Sequence, residues 1–209
     1  GMIKDSVYLR DRQMRNLGGI KSMRKVVKFG GSSLASAEQF KKVGDIIRAD
    51  KGRKYVVPSA PGKRFDGDIK VTDMLYACYA KAEKKEDITA SIAAIRERYM
   101  EIINGLGLSL SLDDQFEVIS ENFKKLAGSN YAASRGEYLN GIIMANYLGY
   151  EFIDAAEVIV FHEDGTFDAE TTNEKLSARL AECDNAVIPG FYGATAEGKV
   201  TTFSRGGSD

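Results

Sequence analysis

The stretch that decides the fold is Lys25-Val-Val-Lys-Phe-Gly-Gly-Ser-Ser-Leu-Ala-Ser-Ala-Glu-Gln-Phe40. Its β-branched and aromatic residues form a short apolar run that ends on Gly30-Gly31, which predicts a strand followed by a turn. Ser36 and Gln39 have the spacing of a capping box, and the apolar residues behind them recur at helical intervals. A second apolar run at 54–58 predicts another strand, so this part of the chain makes a βαβ unit.

The rest of the chain continues the alternation of helices and strands. Between 72 and 149 the apolar residues step by three and four positions, which predicts a helical insertion whose last helix ends at Gly149. Ser111 with Asp114 predicts one capped helix start, and Thr171 opens a later helix. Further strands are predicted at 151–154, 157–161, 185–189 and 200–203. The pattern as a whole predicts an α/β fold with a helical insertion.

The composition is that of an ordinary globular chain of 209 residues, with 44% hydrophobic and 28% charged residues. A formal net charge of −1 argues against a nucleic-acid partner. No apolar run approaches the roughly 20 residues of a membrane span. Cys78 and Cys183 lie far apart without a partner motif, which favours a reducing compartment. The single histidine, His162, lies in a predicted hairpin turn, so no metal site is expected.

The two ends of the chain differ from the middle. Residues 1–22 carry charges throughout and lack the apolar run of a signal peptide, and the opening glycine before Met2 is typical of a cleaved tag. We therefore expect 1–22 to be a tag remnant and an N-terminal extension. The last six residues, 204–209, contain a turn and a helix N-cap without a helix behind them, so we expect the fold to be truncated on its C-terminal side.

Glycine-flanked segments carry the candidate chemistry, and the first is Lys28-Phe-Gly-Gly-Ser-Ser33. Its lysine ends a strand beside two glycines, whose N–H groups can converge on an anion that the dipole of a following helix favours. The alternative is a tight turn with a surface lysine. Because the lysine precedes the glycines, this is not a Walker loop. The polar loop at 61–68 is the candidate for a flexible lid.

The second and third segments suggest a substrate site. Ser134-Arg-Gly-Glu137 offers a carboxylate, although the same spacing also fits a capping box in which Glu137 reaches back to its own helix. Gly190-Phe-Tyr-Gly193 precedes Phe203-Ser-Arg-Gly-Gly-Ser-Asp209, where Arg205 beside two glycines suits bidentate binding of a carboxylate. A surface hairpin is the alternative there.

Taken in order, these segments resemble aspartate kinase, of the amino acid kinase superfamily, from Met23 to Asp209. The resemblance implies a three-layer αβα fold with a mostly parallel sheet. It also implies ATP-dependent phosphorylation of the β-carboxylate of L-aspartate, which opens the biosynthesis of lysine, threonine and methionine. The expected enzyme is cytoplasmic, binds L-aspartate and ATP rather than nucleic acid or membrane, and is a homo-oligomer at full length.

On the nucleotide side, the resemblance makes Lys28 a contact of the ATP phosphates and Asp209 the residue that positions the lysines around the transferred phosphoryl. The N–H groups around the same phosphates would be those of Gly30, Gly31 and Ser32. Mg²⁺ would be carried by ATP. The resemblance implies that 23–209 is the N-terminal, substrate-binding lobe and that the family's nucleotide lobe and regulatory domains are not among these 209 residues. The 209-residue chain alone is therefore expected to be inactive.

On the substrate side, the resemblance makes Glu137 the partner of the aspartate α-ammonium and Arg205 the partner of a carboxylate. The other substrate contacts it implies are Ser59, Thr72, Gly206, Gly207 and Ser208. The chain departs from the family in a longer loop before Thr72 and in Ser204, where a glycine is common. A carboxylate is already a nucleophile at neutral pH, so no general base is required.

Three other readings of these segments remain open at the level of sequence. The chain could be another small-molecule kinase of the same superfamily, which a substrate panel would separate. It could be a non-catalytic dinucleotide-binding module, although the glycine fingerprint of such modules is missing. It could also be a regulatory binding protein built on an inactive kinase half.

Overall fold

The computed structural model describes residues 7–8, of which only the backbone is considered, and 24–204. The strands are β1 (Val7–Tyr8), β2 (Lys25–Phe29), β3 (Arg53–Pro58), β4 (Glu151–Phe152), β5 (Val160–Phe161), β6 (Ala186–Val187), β7 (Tyr192–Thr195) and β8 (Val200–Thr202). The α-helices are α1 (Ala37–Arg48), α2 (Val71–Glu83), α3 (Thr89–Gly105), α4 (Asp113–Lys124), α5 (Ser129–Leu148), α6 (Ala155–Val158) and α7 (Ala169–Leu180).

The main sheet has the strand order β1-β2-β3-β6-β4, and β2, β3, β6 and β4 run parallel. Only β1 pairs antiparallel within this sheet. The predicted βαβ unit is confirmed as β2-α1-β3, with Val27 opposite Val56. A smaller sheet of order β5-β7-β8 contains one parallel and one antiparallel pair. The predicted α/β fold with a mostly parallel sheet is therefore confirmed.

The sheet separates two apolar cores because successive side chains of a strand point to opposite faces. Val56 and Val187 face the core that α1 to α5 build on one side. Tyr55 and Ala186, their neighbours in the same strands, face a second core that includes residues of α6, α7 and β7. Helices thus cover both faces of the sheet, as in a three-layer αβα arrangement.

The insertion predicted at 72–149 contains the four consecutive helices α2 to α5. Gly149 follows α5 with φ of 72°, a left-handed conformation that glycine adopts without strain, so the predicted end of this helix is confirmed. Cys78 is buried in α2, where it packs as a core residue and where burial raises the pKa of its thiol to about 11.

Three local predictions are wrong. The strand predicted at 157–161 begins instead as α6, because Asp154 caps that short helix by accepting a hydrogen bond from Ala156 N. α4 begins behind Leu112, which makes no side-chain cap, while Ser111 only accepts from the nearby Asp113 N. The N-cap of α7 is Asp168 and not Thr171, so this helix begins three residues earlier than a cap at Thr171 would place it.

The hairpin turn predicted around His162 is confirmed. The amide of His162 donates to Thr166 O at 2.7 Å, and the His162 side chain is exposed. Across the described ranges, none of the helices combines the length and apolar character needed to cross a membrane.

Candidate functional site

The parallel strands bring the predicted segments to one edge of the sheet. β2 ends at Phe29 and β3 at Pro58, which lie opposite each other in the ladder. Ser59 N donates to Phe29 O at 3.0 Å, and Gly190 N donates to Pro58 O at 3.1 Å. The carboxyl ends of parallel strands are where α/β proteins place their ligands. The loops after β2, β3 and β6 therefore share the edge where a site is expected.

The residues after Gly30 are wound more tightly than the predicted helix. Gly31–Leu34 form a single 3-10 turn, and α1 begins only at Ala37, where Ser36 caps it by accepting from Gln39 N. The capping box at Ser36 is confirmed, but no α-helix follows the glycines directly. The expected contribution of a helix dipole at Gly30-Gly31 is therefore wrong.

Gly31 is needed because the loop after β3 packs against its backbone. A Cβ added to Gly31 would lie 2.9 Å from Ala60 O, and one added to Gly62 would lie 2.7 Å from the carbonyl carbon of Gly31. Gly62 N donates to Gly31 O at 2.8 Å. Gly30 has no atom within 4 Å of such a Cβ and is exposed, as is Ser32. The glycine turn thus has one face fixed by the protein and one face open.

Lys28 lies in β2 opposite Val57 and is partly buried. Its neighbours Val27 and Phe29 point into the core that α1 to α5 build, so Lys28 belongs to the opposite face of the sheet. It makes further interactions of its own, and its place at the end of β2 puts it beside the glycine turn.

The loop predicted as a lid is fastened to α3 by Arg98. This arginine is only 5% exposed, and it donates from Nη2 to Gly62 O at 2.8 Å and from Nη1 to Ile69 O at 2.7 Å. One guanidinium therefore holds both ends of the loop. The Asp68 Oδ2 atom lies 3.7 Å from Arg98 Nη1, so the guanidinium also forms an ion pair with this loop.

A second arginine closes the loop on itself. Arg64 binds Asp68 through two hydrogen bonds of 2.8 and 3.0 Å, and its third contact is Glu101 on α3 at 2.8 Å. The Arg64 guanidinium holds the pKa of Asp68 well below its usual range. The loop is thus tied to α3 through several charged contacts, which the prediction of a flexible lid missed. The signal in the sequence was Arg98 itself, which stands within the apolar helical spacing of Ile95, Tyr99 and Ile102.

Glu137 lies in the middle of α5 with its carboxylate buried at the site. Its side chain is 6% exposed, and its Oε1 accepts from Ala60 N at 3.3 Å. Its Oε2 is buried without a hydrogen-bond partner. Burial raises the pKa of Glu137 to about 8, although the Ala60 amide opposes this shift. The capping-box interpretation is wrong, because α5 begins at Ser129, five residues before Ser134.

Neighbours of Glu137 explain why α5 approaches the loop so closely. A Cβ on Gly136 would lie 2.8 Å from Ala60 Cβ, so only glycine permits this distance. Tyr99 donates its hydroxyl to Gly136 O at 2.7 Å. Asn140, one turn further along, donates to Ser59 O at 2.7 Å, and its Oδ1 is buried without a partner. Asn140 was not predicted, although its i+3 spacing from Glu137 places it on a neighbouring part of the same helix face.

The other predicted substrate residues divide into two groups. Ser59 is partly buried directly after β3, and Thr72 is partly buried in the first turn of α2, at the end of the anchored loop. Arg205, Gly206, Gly207, Ser208 and Asp209 lie outside the described residues. Before them, β7 and β8 form an antiparallel pair, and all four residues of β7 are buried, so this is not a surface hairpin. Among the described residues, no group of three or more His, Cys, Asp or Glu side chains could hold a metal ion.

Residues 23–209 match the model of a protein family described as the amino acid kinase family. The chain belongs to this family. Among curated proteins, the chain is 38% identical over 201 residues to aspartokinase 3 of Bacillus subtilis, covering 88% of the chain and 44% of that protein. The resemblance to aspartate kinases, seen in the sequence, is confirmed.

Solved structures agree in fold. The aspartate kinase of Clostridium acetobutylicum is 51% identical with a TM-score of 0.84, covering 88% of this chain and 42% of that one. Escherichia coli aspartokinase III, solved in complex with aspartate and ADP, is 24% identical with a TM-score of 0.69, covering 88% of this chain and 44% of that one, and supports the fold alone. The chain thus spans somewhat less than half the length of these relatives.

Replacing Arg98 tests whether it anchors the loop. We expect Arg98→Met to accelerate amide hydrogen exchange at Gly62 and Asp68 by about tenfold or more, because two hydrogen bonds from a charged donor are lost. Arg98→Lys should give an intermediate effect, since an ammonium lacks the planar fork that spans two carbonyls. Arg96→Met, at an exposed position of the same helix, is the control. Unchanged protection in Arg98→Met would refute the anchoring role.

Replacing Glu137 tests the cost of burying its carboxylate. The pKa of Glu137 is higher in the folded protein (about 8) than its ordinary value of 4.5, so the folded state binds this proton more tightly. Its contribution to the free energy of unfolding is therefore full below about pH 4.5 and falls as pH rises to 8. We measure the free energy of unfolding in urea for Glu137→Gln and for the wild type. We expect the value for the variant, relative to the wild type, to rise by about 2–5 kcal/mol from about pH 5 to about pH 9. The exposed Glu117→Gln should show no such trend, and a pH-independent difference for Glu137→Gln would contradict the raised pKa.

Proposed function

We propose that this chain is the substrate-binding part of an aspartate kinase, which transfers the γ-phosphoryl group of ATP to the β-carboxylate of L-aspartate. The observation that carries the proposal is the buried Glu137 carboxylate at the carboxyl edge of the sheet, with one oxygen unpartnered. The 51% identity to the aspartate kinase of Clostridium acetobutylicum supports the choice of substrate.

The substrate side is proposed around Glu137. A buried carboxylate with an unpartnered oxygen favours a ligand that brings a positive charge and N–H donors, as an α-ammonium does. Ser59 and Thr72 border the same loop and are proposed as further contacts of aspartate. The carboxylates of the substrate are assigned to Arg205, with Gly206, Gly207 and Ser208 around it, on the resemblance alone.

The nucleotide side is proposed at the other end of the same edge. Lys28 would neutralise charge on the phosphates of ATP, and Gly30, Gly31 and Ser32 would line them. The open face of Gly30 and the exposed Ser32 support this, since a phosphate group could approach the backbone there. Asp209 would position the cations around the transferred group.

The proposed chemistry needs positioning more than proton transfer. A β-carboxylate oxygen of aspartate attacks the γ-phosphorus, a new O–P bond forms, and the bond to the bridging oxygen of ADP breaks, so ADP leaves with the electron pair. Mg²⁺ carried by ATP would supply further charge neutralisation on the phosphates. The anchored loop between β3 and α2 would keep the glycine turn in place during transfer. The proposal includes a cytoplasmic, homo-oligomeric enzyme with small-molecule substrates.

Kinetics of the complete gene product test the proposal. With aspartate, ATP and hydroxylamine, we expect formation of aspartyl hydroxamate, and Lys28→Ala should lower kcat by about 10²–10³ with little change in stability. Glu137→Gln should raise the KM for aspartate about tenfold or more while the KM for ATP stays near its wild-type value. Glu117→Gln is the matched control.

A substrate panel decides between aspartate and its competitors. L-Glutamate, N-acetyl-L-glutamate and uridine monophosphate should give little or no ADP release compared with L-aspartate. Preferential turnover of any of these would replace the proposed substrate while leaving the family unchanged. Binding of ATP without phosphorylation of any member of the panel would favour a non-catalytic binding protein.

A further inference from the structure

Arg135 on α5 is a buried cation held between aromatic rings. Its side chain is only 7% exposed, and its guanidinium lies 4.3 Å from the ring centroid of Tyr138, 4.7 Å from that of Tyr131 and 5.3 Å from that of Tyr192. Three electron-rich faces offset part of the penalty for burying the charge.

The guanidinium has no anionic partner in the part of the chain that the structure describes. Its Nε donates to Ser134 Oγ at 3.1 Å, and its two terminal nitrogens make no hydrogen bond within the described ranges. Asp154, an acidic group close to this cluster, already accepts hydrogen bonds from Tyr192 and from the backbone of α6. A buried arginine without a carboxylate is unusual, because charged side chains are rarely buried unless paired.

Arg135 is one of the residues that line a cavity between α4 and α5. The cavity measures about 170 Å³, and Arg135 lines it together with the apolar side chains of Val118 and Ile119 and the rings of Tyr131 and Tyr138. Cavities of about 150 Å³ are large enough for a molecule the size of benzene. The space is therefore sufficient for a small ligand with a short apolar body.

The side of this cavity formed by α4 carries polar side chains. Gln115 lines it, and its Oε1 is buried without a hydrogen-bond partner. Asp114, in the first turn of α4, also lines it and carries a negative charge. A ligand with several negative charges, such as phosphate, would be repelled by Asp114. A ligand that carries both a carboxylate and an ammonium would pair with Arg135 and with the exposed Asp114 together.

We propose that the cavity between α4 and α5 is a binding site for a short zwitterionic carboxylate of the α-amino acid type. Arg135 binds the carboxylate, Asp114 binds the ammonium, and Val118 and Ile119 contact the short apolar side chain. This site is separate from the one at Glu137, whose carboxylate contacts Ala60 on the sheet side of α5. It is independent of the proposed function, since it rests on different side chains.

Titration of the protein followed by NMR tests this site. With ¹³C-labelled methyl groups, L-2-aminobutyrate should shift the signals of Val118 and Ile119 saturably, and those of Val27 should stay unmoved. Butyrate, which lacks the ammonium, and propylamine, which lacks the carboxylate, should each bind at least about tenfold more weakly, as should inorganic phosphate. These probes separate the zwitterion from a simple anion.

Variants locate the response. Arg135→Met should weaken binding of L-2-aminobutyrate about tenfold or more, and Arg135→Lys, which keeps the charge and loses the fork, should weaken it measurably. Val118→Phe starts from a side chain that is 57% exposed, so it should fill the cavity and block binding without unfolding the protein. Equal binding by wild type, Arg135→Met and Val118→Phe would overturn the proposal, and so would the absence of saturable shifts at Val118 and Ile119 in the wild type.

Discussion

The hydrogen bond from the amide of Ala60 to the buried carboxylate of Glu137 joins the two parts of the chain that build the candidate site. It connects the loop after β3, which belongs to the βαβ unit, with the middle of the helix that ends the insertion. The contact is possible only because Gly136 has no side chain. Two further hydrogen bonds fix this stretch of α5, from Tyr99 to Gly136 O and from Asn140 to Ser59 O, so the carboxylate stays buried despite the unfavourable loss of water.

The loop that carries Ala60 makes the other contacts at this edge of the sheet. The loop beyond Ala60 packs its glycine backbone on Gly31, and Arg98 fixes both ends of the loop on α3. Helix α3 also supplies Tyr99, next to Arg98. The same helix therefore positions the glycine turn on one side and the Glu137 carboxylate on the other. The glycine turn, the loop after β3 and the Glu137 carboxylate are therefore held in place together.

Much of the fold could be predicted from the sequence because its signals are local. The strand before Gly30-Gly31, the cap at Ser36 and the helix end at Gly149 each depend on residues within a few positions of one another. A prediction was wrong where one local spacing fits two different structures. Ser134 and Glu137 have the spacing of a capping box, yet they lie inside a helix that begins at Ser129. The residue before that helix is Gly128, whose φ of 110° is not helical.

The tertiary part of the site was harder to predict. Glu137 and Lys28 were singled out by their glycine neighbours, but nothing near Arg98 in sequence shows that it binds carbonyls 29 and 36 residues away. The burial of Glu137, and with it the raised pKa, depends on the approach of Ala60 across 77 positions. Such contacts are properties of packing rather than of local sequence.

The most direct test of the central claim is the number of protons released when aspartate binds. With a pKa of about 8, Glu137 is mostly protonated at about pH 7 in the free protein, and contact with an ammonium requires its ionised form. Calorimetry of the complete gene product in buffers of different ionisation enthalpy should show a net release of protons when aspartate binds. The residual binding of Glu137→Gln should release none. Tight binding of aspartate by the wild type without proton release would contradict the account.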